Sequence, residues 1–217
     1  MFSYLDHLEC TQCGKTFPHT QLSKISACCG KVLFARYDLP RMRREVDRNS
    51  WQDRVATMWR FSELMPVDDP DNVITLGEGA TPLLRAPNLE KKLGLSNLYI
   101  KEEGLNPTGS FKARGISAAV SKAFELGATG FTIPSAGNAA GAAAAYGARG
   151  SLPVKVFMPK DAPPANKKES VMAGSEVNLV KGLISDAGRI AVAVAEEQNL
   201  FDLSTLKEPY RAEGKKT

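Results

Sequence analysis

From residue 98 onward the chain alternates between short apolar runs and segments of helical periodicity, and this constrains the fold more than any other feature. Short apolar runs predict strands, and apolar residues three and four positions apart predict helices. Strands that alternate with helices at short spacing form a parallel sheet with helices on both faces, so we expect an α/β fold. The predicted strands are 98–101, 129–134, 154–158 and 176–180, and the predicted helices are 110–126, 138–149, 164–173 and 184–198.

A lysine follows a turn after the first of these strands. Pro107 and Gly109 predict the turn, and Ser110 is well placed as N-cap of the next helix. Lys112 then lies in the first helical turn, where the helix dipole and burial lower the pKa of an amine. A neutral amine attacks an aldehyde to form an imine. The same local pattern also fits an ordinary surface lysine.

A second loop joins the strand at 129–134 to an alanine-rich helix. Free backbone N–H groups at a helix start favour an anion, and Gly137 lets a ligand approach the backbone. Asn138 can both donate and accept hydrogen bonds, although an ordinary turn fits the local pattern too. Lys112 and Asn138 are 26 positions apart, which is one βα unit. We therefore expect the two motifs to come from adjacent strands.

The stretch N-P-T-G-S-F-K-x-R-G, residues 106–115, resembles the lysine motif of fold-type II pyridoxal-phosphate (PLP) enzymes. With K-x-E-G ahead of it, the stretch is similar to that of threonine synthases. The resemblance implies a fold-type II α/β architecture and PLP as cofactor. It also implies that Lys112 forms the Schiff base with PLP and moves protons at the substrate.

The S-A-G-N stretch after the second strand resembles the S-x-G-N loop of the same enzymes. The resemblance implies that Asn138 hydrogen-bonds the 3′-oxygen of the cofactor. It also implies that the loop binds the substrate carboxylate. The loop residues concerned are Ser135, Ala136, Gly137, Asn138 and Ala139.

A third stretch, L-G-E-G-x-T-P-L at 76–83, resembles the segment that threonine synthases carry upstream of the lysine. It implies that Glu78 and Thr81 lie near the substrate.

One position departs from the family, because threonine synthases usually have Asp where this chain has Ala113. With Ser110 as N-cap, that position is N3, and the lost capping box would cost about 0.5–1 kcal/mol. An uncharged residue there is typical of threonine/serine ammonia-lyases, which are the alternative enzyme.

All four cysteines precede residue 30, and in a reducing compartment such a cluster is more typical of metal binding than of disulfides. A C-x-x-C pair followed by two adjacent cysteines offers four thiolates for a tetrahedral structural zinc. The alternative is a zinc-ribbon-like module that has lost its metal site and carries free thiols. Some members of the resembled family carry a similar zinc-ribbon-like extension. The candidate ligands are Cys10, Cys13, Cys28 and Cys29.

The chain divides into four predicted parts: a cysteine-bearing module at 1–37, a helical and extended segment at 38–97 that starts a large PLP domain, a small α/β domain at 98–206, and the start of a return to the large domain at 207–217. The resemblance implies conversion of O-phospho-L-homoserine and water to L-threonine and phosphate. It also implies a glycine-rich phosphate cup, which is a loop that binds the phosphate of the cofactor, and a Ser or Thr that contacts the pyridine nitrogen. No such glycine-rich run follows residue 150. We therefore expect an N-terminal fragment that is inactive alone. A non-catalytic truncated remnant is the alternative.

The net charge of +4 is spread along the chain, without the aromatic interleaving of a nucleic-acid site. No run approaches the roughly 18 apolar residues of a membrane span, and the N-terminus lacks the apolar run of a signal peptide. We expect a cytoplasmic enzyme that acts on a small amino-acid substrate and binds neither nucleic acid nor membrane. The family resemblance implies a homodimer.

Overall fold

The N-terminal module is a small antiparallel sheet in the computed structural model, which describes residues 1–217. Its strands lie in the order β2-β1-β3. Strand β3 leads out of the module toward the following segment. The bounds are β1, Leu5–Cys10; β2, Thr16–Pro18; and β3, Leu33–Tyr37.

Residues 38–75 contain one short helix and three 3₁₀ turns, so the predicted helical character is confirmed only in part. The helix α1, Leu39–Glu45, is capped by the Asp38 side chain, which accepts a hydrogen bond from the Arg41 N–H. The chain changes direction within the longest turn, where Phe61 has non-helical backbone angles. The 3₁₀ turns are Arg48–Trp51, Met58–Leu64 and Pro70–Asn72.

A separate two-stranded antiparallel sheet precedes the lysine motif. It consists of β4, Leu83–Arg85, and β5, Tyr99–Lys101, joined by α2, Pro87–Leu93. The prediction that the two motifs come from adjacent strands is therefore wrong, because β5 pairs with β4 and not with the strand before Asn138. The short α2 ends at Gly94 in the left-handed conformation, and the chain turns back there beside β4.

The remainder forms a four-stranded, wholly parallel sheet in the order β8-β7-β6-β9. The predicted helices and the other three predicted strands are confirmed within a few residues, and β9 was not predicted. The elements are α3, Lys112–Glu125; β6, Phe131–Pro134; α4, Asn138–Arg149; β7, Val154–Pro159; α5, Pro164–Met172; β8, Glu176–Val180; α6, Ile184–Glu197; and β9, Phe201–Asp202. A final 3₁₀ turn, Glu213–Lys216, packs on α3.

The strand order creates a switch point beside β6. The chain moves from β6 outward to β7 and β8, and then returns across the sheet to β9 on the other side of β6. Right-handed crossovers place α4 and α5 on one face and α6 on the other. In open α/β sheets, ligands bind at the carboxyl ends of the strands where the order reverses. That position is the end of β6.

Apolar residues fill both sides of the sheet. The main core joins α3 and α4 to the sheet through Ile116, Val120, Ile133 and Val156, all fully or almost fully buried. Leu8 of β1 belongs to the same cluster, so the N-terminal module packs on the α/β body. The opposite face is covered by α6, through Ala187 and Ala191 among others. None of the helices has the length and apolar character needed to cross a bilayer.

Candidate active site

The turn before Lys112 is built by Gly109 and Ser110. Gly109 has a φ of +65°, which favours glycine, and it lets the chain leave β5 and enter α3. The Ser110 hydroxyl accepts a hydrogen bond from the Lys112 N–H at 3.3 Å. The helix itself begins at Lys112 with Phe111 as its N-cap, so the prediction of Ser110 as the N-cap is wrong by one residue. The lysine lies in the first turn, as predicted.

The amine of Lys112 is partly buried and has no hydrogen-bond acceptor or ion-pair partner in the chain. Its Nζ lies 4.5 Å from the centroid of the Phe111 ring. Burial, followed by the positive charges of Arg211 and Lys215, lowers the pKa of Lys112. These effects favour the neutral amine, which is the form that attacks an aldehyde.

Ala113 is a core residue, which corrects the account of this position as a lost capping box. The helix begins at Lys112, so Ala113 is its second residue and not its third. The side chain is fully buried in the main apolar cluster. A carboxylate at this position would have to be buried together with its charge, so packing explains the small apolar residue.

The loop from Ser135 to Ala139 lies at the switch point, directly after β6. The Ser135 N–H donates to the Phe157 carbonyl of β7 at 3.0 Å, and the Gly137 N–H lies 3.3 Å from the Ser135 hydroxyl. The N–H groups of Ala136, Asn138 and Ala139 donate to no group in the chain. Uncommitted N–H groups at a helix start bind anions. The Asn138 side chain is exposed, and its amide is also uncommitted.

The two predicted motifs come together through helix packing rather than strand pairing. Helix α3 leads into β6 through a short loop, and α4 leaves β6 after the 135–137 loop. Both helices therefore run opposite to the strand, and they pack against each other. Their first residues, Lys112 and Asn138, lie toward the same end of the sheet, where the carboxyl end of β6 lies. The free amine suits the aldehyde of a cofactor, and the free amide and uncommitted N–H groups suit an anionic ligand.

Arg211 and Lys215 were not predicted as site residues. The terminal segment packs so closely on α3 that a Cβ on Gly115 would lie 2.7 Å from the Arg211 carbonyl oxygen. Arg211 is 5% exposed, and its Nε has no hydrogen-bond partner, but its Nη1 donates to the Leu203 carbonyl and the carboxylates of Glu208 and Asp202 lie near it. Burial lowers its pKa, and burial raises the pKa of nearby Glu208 to about 7. No local pattern marks these residues, because tertiary packing alone brings them to Lys112.

Glu78 lies inside the protein and is fully buried. Its carboxylate accepts hydrogen bonds from Trp59 Nε1 at 2.9 Å, from the Thr75 hydroxyl at 3.1 Å and from the Leu76 N–H at 3.0 Å. The Tyr146 hydroxyl of α4 also donates to it, and burial raises the pKa of Tyr146. These bonds hold the 75–79 loop on α4. A contact between Glu78 and substrate stays a prediction.

Thr81 belongs to a network that holds the lysine motif. Its hydroxyl donates to Glu103 Oε1 at 2.5 Å, and Glu103 pairs with Arg114 of α3 at 2.7 Å. Hydrogen bonding from Arg114 lowers the pKa of Glu103 to about 2. Asn106 donates to the same carboxylate at 3.0 Å and accepts from the Gly79 N–H at 3.1 Å. The entry segment is thus fastened to the lysine loop, and contact of Thr81 with substrate stays a prediction.

The four cysteines form one cluster in the N-terminal module. Their sulfur atoms all lie within 4.8 Å of one another, and Cys13 and Cys28 are 3.5 Å apart. A hydrogen bond with the Ser26 hydroxyl, together with backbone N–H groups, lowers the pKa of Cys10 to about 6. A tetrahedral zinc with Zn–S bonds of about 2.3 Å separates its sulfur atoms by roughly 3.8 Å. The cluster therefore has dimensions that suit such an ion.

Comparison with known proteins agrees with this geometry. A model of the pyridoxal-phosphate dependent enzyme family matches residues 74–217. A threonine synthase of Methanocaldococcus jannaschii is 38% identical over 210 residues, which cover 96% of this chain and 51% of that protein. A threonine synthase of Halalkalibacterium halodurans is 41% identical over 167 residues, covering 74% and 47%. The chain spans about half the length of these curated relatives.

Solved structures share the fold. The threonine deaminase isoform 2 of Solanum lycopersicum superposes with a TM-score of 0.51 at 31% identity, covering 57% of this chain and 34% of that one. A pyridoxal 5′-phosphate-dependent aspartate racemase superposes with a TM-score of 0.54 at 28% identity, covering 57% and 39%. The relatives found by sequence are thus threonine synthases, whereas the structural neighbours include a threonine deaminase and a racemase. These names cover more than one reaction.

Proposed function

This chain belongs to the family of pyridoxal-phosphate dependent enzymes, and from that premise we propose that it is part of a threonine synthase. The reaction is the conversion of O-phospho-L-homoserine and water to L-threonine and phosphate. The single observation that carries the choice of reaction is the 38% identity to a threonine synthase over 96% of this chain. Arg211 and Lys215 add positive charge near Lys112, and a substrate with a phosphate ester suits that charge.

The cofactor, attached at Lys112, supplies an electron sink for charge that develops on the substrate. The Nζ of Lys112 moves protons at the substrate Cα, Cβ and Cγ, a role that its lowered pKa favours. The uncommitted N–H groups of Ala136, Asn138 and Ala139 bind the substrate carboxylate, and the Asn138 amide hydrogen-bonds the cofactor. Arg211 binds the substrate phosphate. Lys215 adds positive charge beside Lys112.

A threonine/serine ammonia-lyase is the second candidate. The uncharged Ala113 and the structural similarity to a threonine deaminase favour it. The deciding experiment measures phosphate release from O-phospho-L-homoserine and keto-acid release from L-threonine by the full-length protein that carries this chain. Phosphate release with equimolar threonine supports the synthase. Formation of the keto acid without phosphate release identifies the ammonia-lyase. If neither product forms, the non-catalytic alternative remains.

We further propose that Cys10, Cys13, Cys28 and Cys29 hold one structural zinc ion. The sulfur cluster supports this, as does the position of Cys10 in the main apolar core beside Leu8 and Leu33. A module of this size buries little core of its own, so the free energy of metal binding would contribute to its folding. The zinc has no role in the reaction.

The same proposal assigns residues 38–97 and 207–217 to a large cofactor-binding domain and residues 98–206 to a small one. It also holds that the full-length protein is cytoplasmic and forms a homodimer. It also includes the absence of turnover by the isolated 217-residue chain, since the phosphate cup implied by the family is not among its residues. Threonine formation by the isolated chain would contradict this last point.

A further inference from the structure

Asn166, in the first turn of α5, reaches across to the loop that follows β6. Its Nδ2 donates to the Ala136 carbonyl oxygen at 2.7 Å. Nothing in the sequence marks this asparagine, since it lies 30 positions after Ala136 and on a different helix. The bond is the only side-chain hydrogen bond that reaches the 135–139 loop from another element.

The bond controls the direction of a backbone donor. The peptide between Ala136 and Gly137 is planar and trans, so its carbonyl and its N–H point in opposite directions. When Asn166 holds the carbonyl toward α5, the Gly137 N–H is turned away from α5. The Ser135 hydroxyl, at 3.3 Å, is a weak alternative anchor for that N–H. Asn166 therefore orients the Ala136–Gly137 peptide, which lies between the uncommitted N–H groups of Ala136 and Asn138.

Asn166 is itself held in place. The Ser170 hydroxyl donates to its backbone carbonyl oxygen at 3.0 Å, and its backbone N–H donates to the Pro163 carbonyl at 3.1 Å. Helix α5 packs closely on the first turn of α4, because a Cβ on Gly141 would overlap the carboxylate of Glu169. This close approach brings Asn166 within reach of Ala136.

We infer that Asn166 is a positioning residue that orients the 135–139 loop for the carboxylate of an amino-acid substrate. The inference rests on the proposed function only in taking this loop as the carboxylate site. It does not depend on which amino acid the enzyme converts. Because Asn166 acts through the backbone, its loss should weaken carboxylate binding and leave the chemistry at Lys112 largely unchanged.

The test compares two probes on the cofactor-loaded full-length protein. L-2-aminobutyrate and propylamine differ only in the carboxylate, and the binding of each is followed by the absorbance of the bound cofactor. We expect Asn166→Ala to weaken binding of L-2-aminobutyrate about tenfold, as for loss of one oriented hydrogen bond, and to change propylamine binding less than about twofold. For a substrate that is turned over, KM rises while kcat changes less than about threefold.

Asn178→Ala is the matched control, because it removes a surface asparagine whose Nδ2 donates to Glu176 on the edge strand β8. Asn166→Leu is the second variant, since it fills a similar volume without a donor and keeps the test valid if the alanine variant folds poorly. An unchanged preference for the carboxylate in a folded Asn166 variant overturns the inference. An equal loss for both probes, which indicates a merely structural role, also overturns it. A wild-type protein without any carboxylate preference would instead contradict the proposed site.

Discussion

Gly214 of the terminal 3₁₀ turn packs backbone against backbone on Gly115 of α3. A Cβ on Gly214 would lie 3.0 Å from the Gly115 Cα and closer still to the Arg114 carbonyl. No side chain fits between the two segments. This contact places the terminal segment, and with it Arg211 and Lys215, beside Lys112.

Gly214→Ala should therefore separate the terminal segment from α3. The added Cβ overlaps backbone atoms that cannot rotate away, so we expect a loss of about 1–3 kcal/mol in the free energy of unfolding. Gly188→Ala is the control, because no atom lies within 4 Å of its Cβ position and α6 gains about 0.5–1 kcal/mol from alanine. Urea denaturation measures both. Equal stability of the two variants would contradict the close contact.

Lys112→Ala should abolish covalent attachment of the cofactor, because no other amine occupies this turn. The measurement is the visible absorbance of the lysine-bound cofactor in the full-length protein, before and after dialysis. Lys92→Ala, at an exposed position of α2, is expected to keep the band. Retention of the band by the Lys112 variant would assign the attachment to another lysine.

The reactivity of Lys112 should depend on pH with a midpoint below that of an ordinary lysine. The lowered pKa means that the amine becomes neutral, and reactive, at a lower pH than usual. Lys215→Ala removes a repulsive charge and should shift the midpoint to higher pH, whereas Lys168→Ala, which is exposed on α5, should not. Competitive labelling of lysines followed by mass spectrometry reports the midpoint. A shift to lower pH in the Lys215 variant would refute the assigned cause.

Glu103→Gln should destabilise the protein in a pH-dependent way. The folded pKa of Glu103 is lowered to about 2, so its ion pair with buried Arg114 contributes fully above the unfolded value of about 4.3. We expect a loss of about 1–3 kcal/mol at neutral pH. The difference from wild type should shrink as the pH falls from about 4.3 toward 2, measured by denaturation at each pH. A pH-independent difference would exclude the ion pair as its source.

Removal of zinc should unfold the N-terminal module and lower the melting temperature. We expect roughly one equivalent of zinc by elemental analysis of protein that has not met a chelator, and none in Cys13→Ser purified in the same way. Lys24→Ala, at an exposed position of the same module, is the control and should keep the metal. Protein that is folded and free of zinc would show that the thiols are unliganded.

Local patterns predicted the positions of the helices well, whereas the roles of the site motifs stay a prediction. Lys112 and Asn138 each start a helix, as turn residues and apolar periodicity indicated. The partner of β5 could not be predicted in the same way, because strand pairing depends on where the chain returns and not on the strand's own residues. The burial of Ala113 and Glu78 was equally inaccessible, since each depends on neighbours that are distant along the chain.

The sequence alone determined the alternation of strands and helices, the turn before Lys112, the loop before Asn138 and the four thiols, because turns, caps and periodicity depend on residues within a few positions. Only the tertiary structure decided which helices pack together, that Asn166 reaches the Ala136 carbonyl, and that Arg211 lies buried near Lys112. These contacts join residues many positions apart, and they are selected by the packing of the whole core rather than by any local preference.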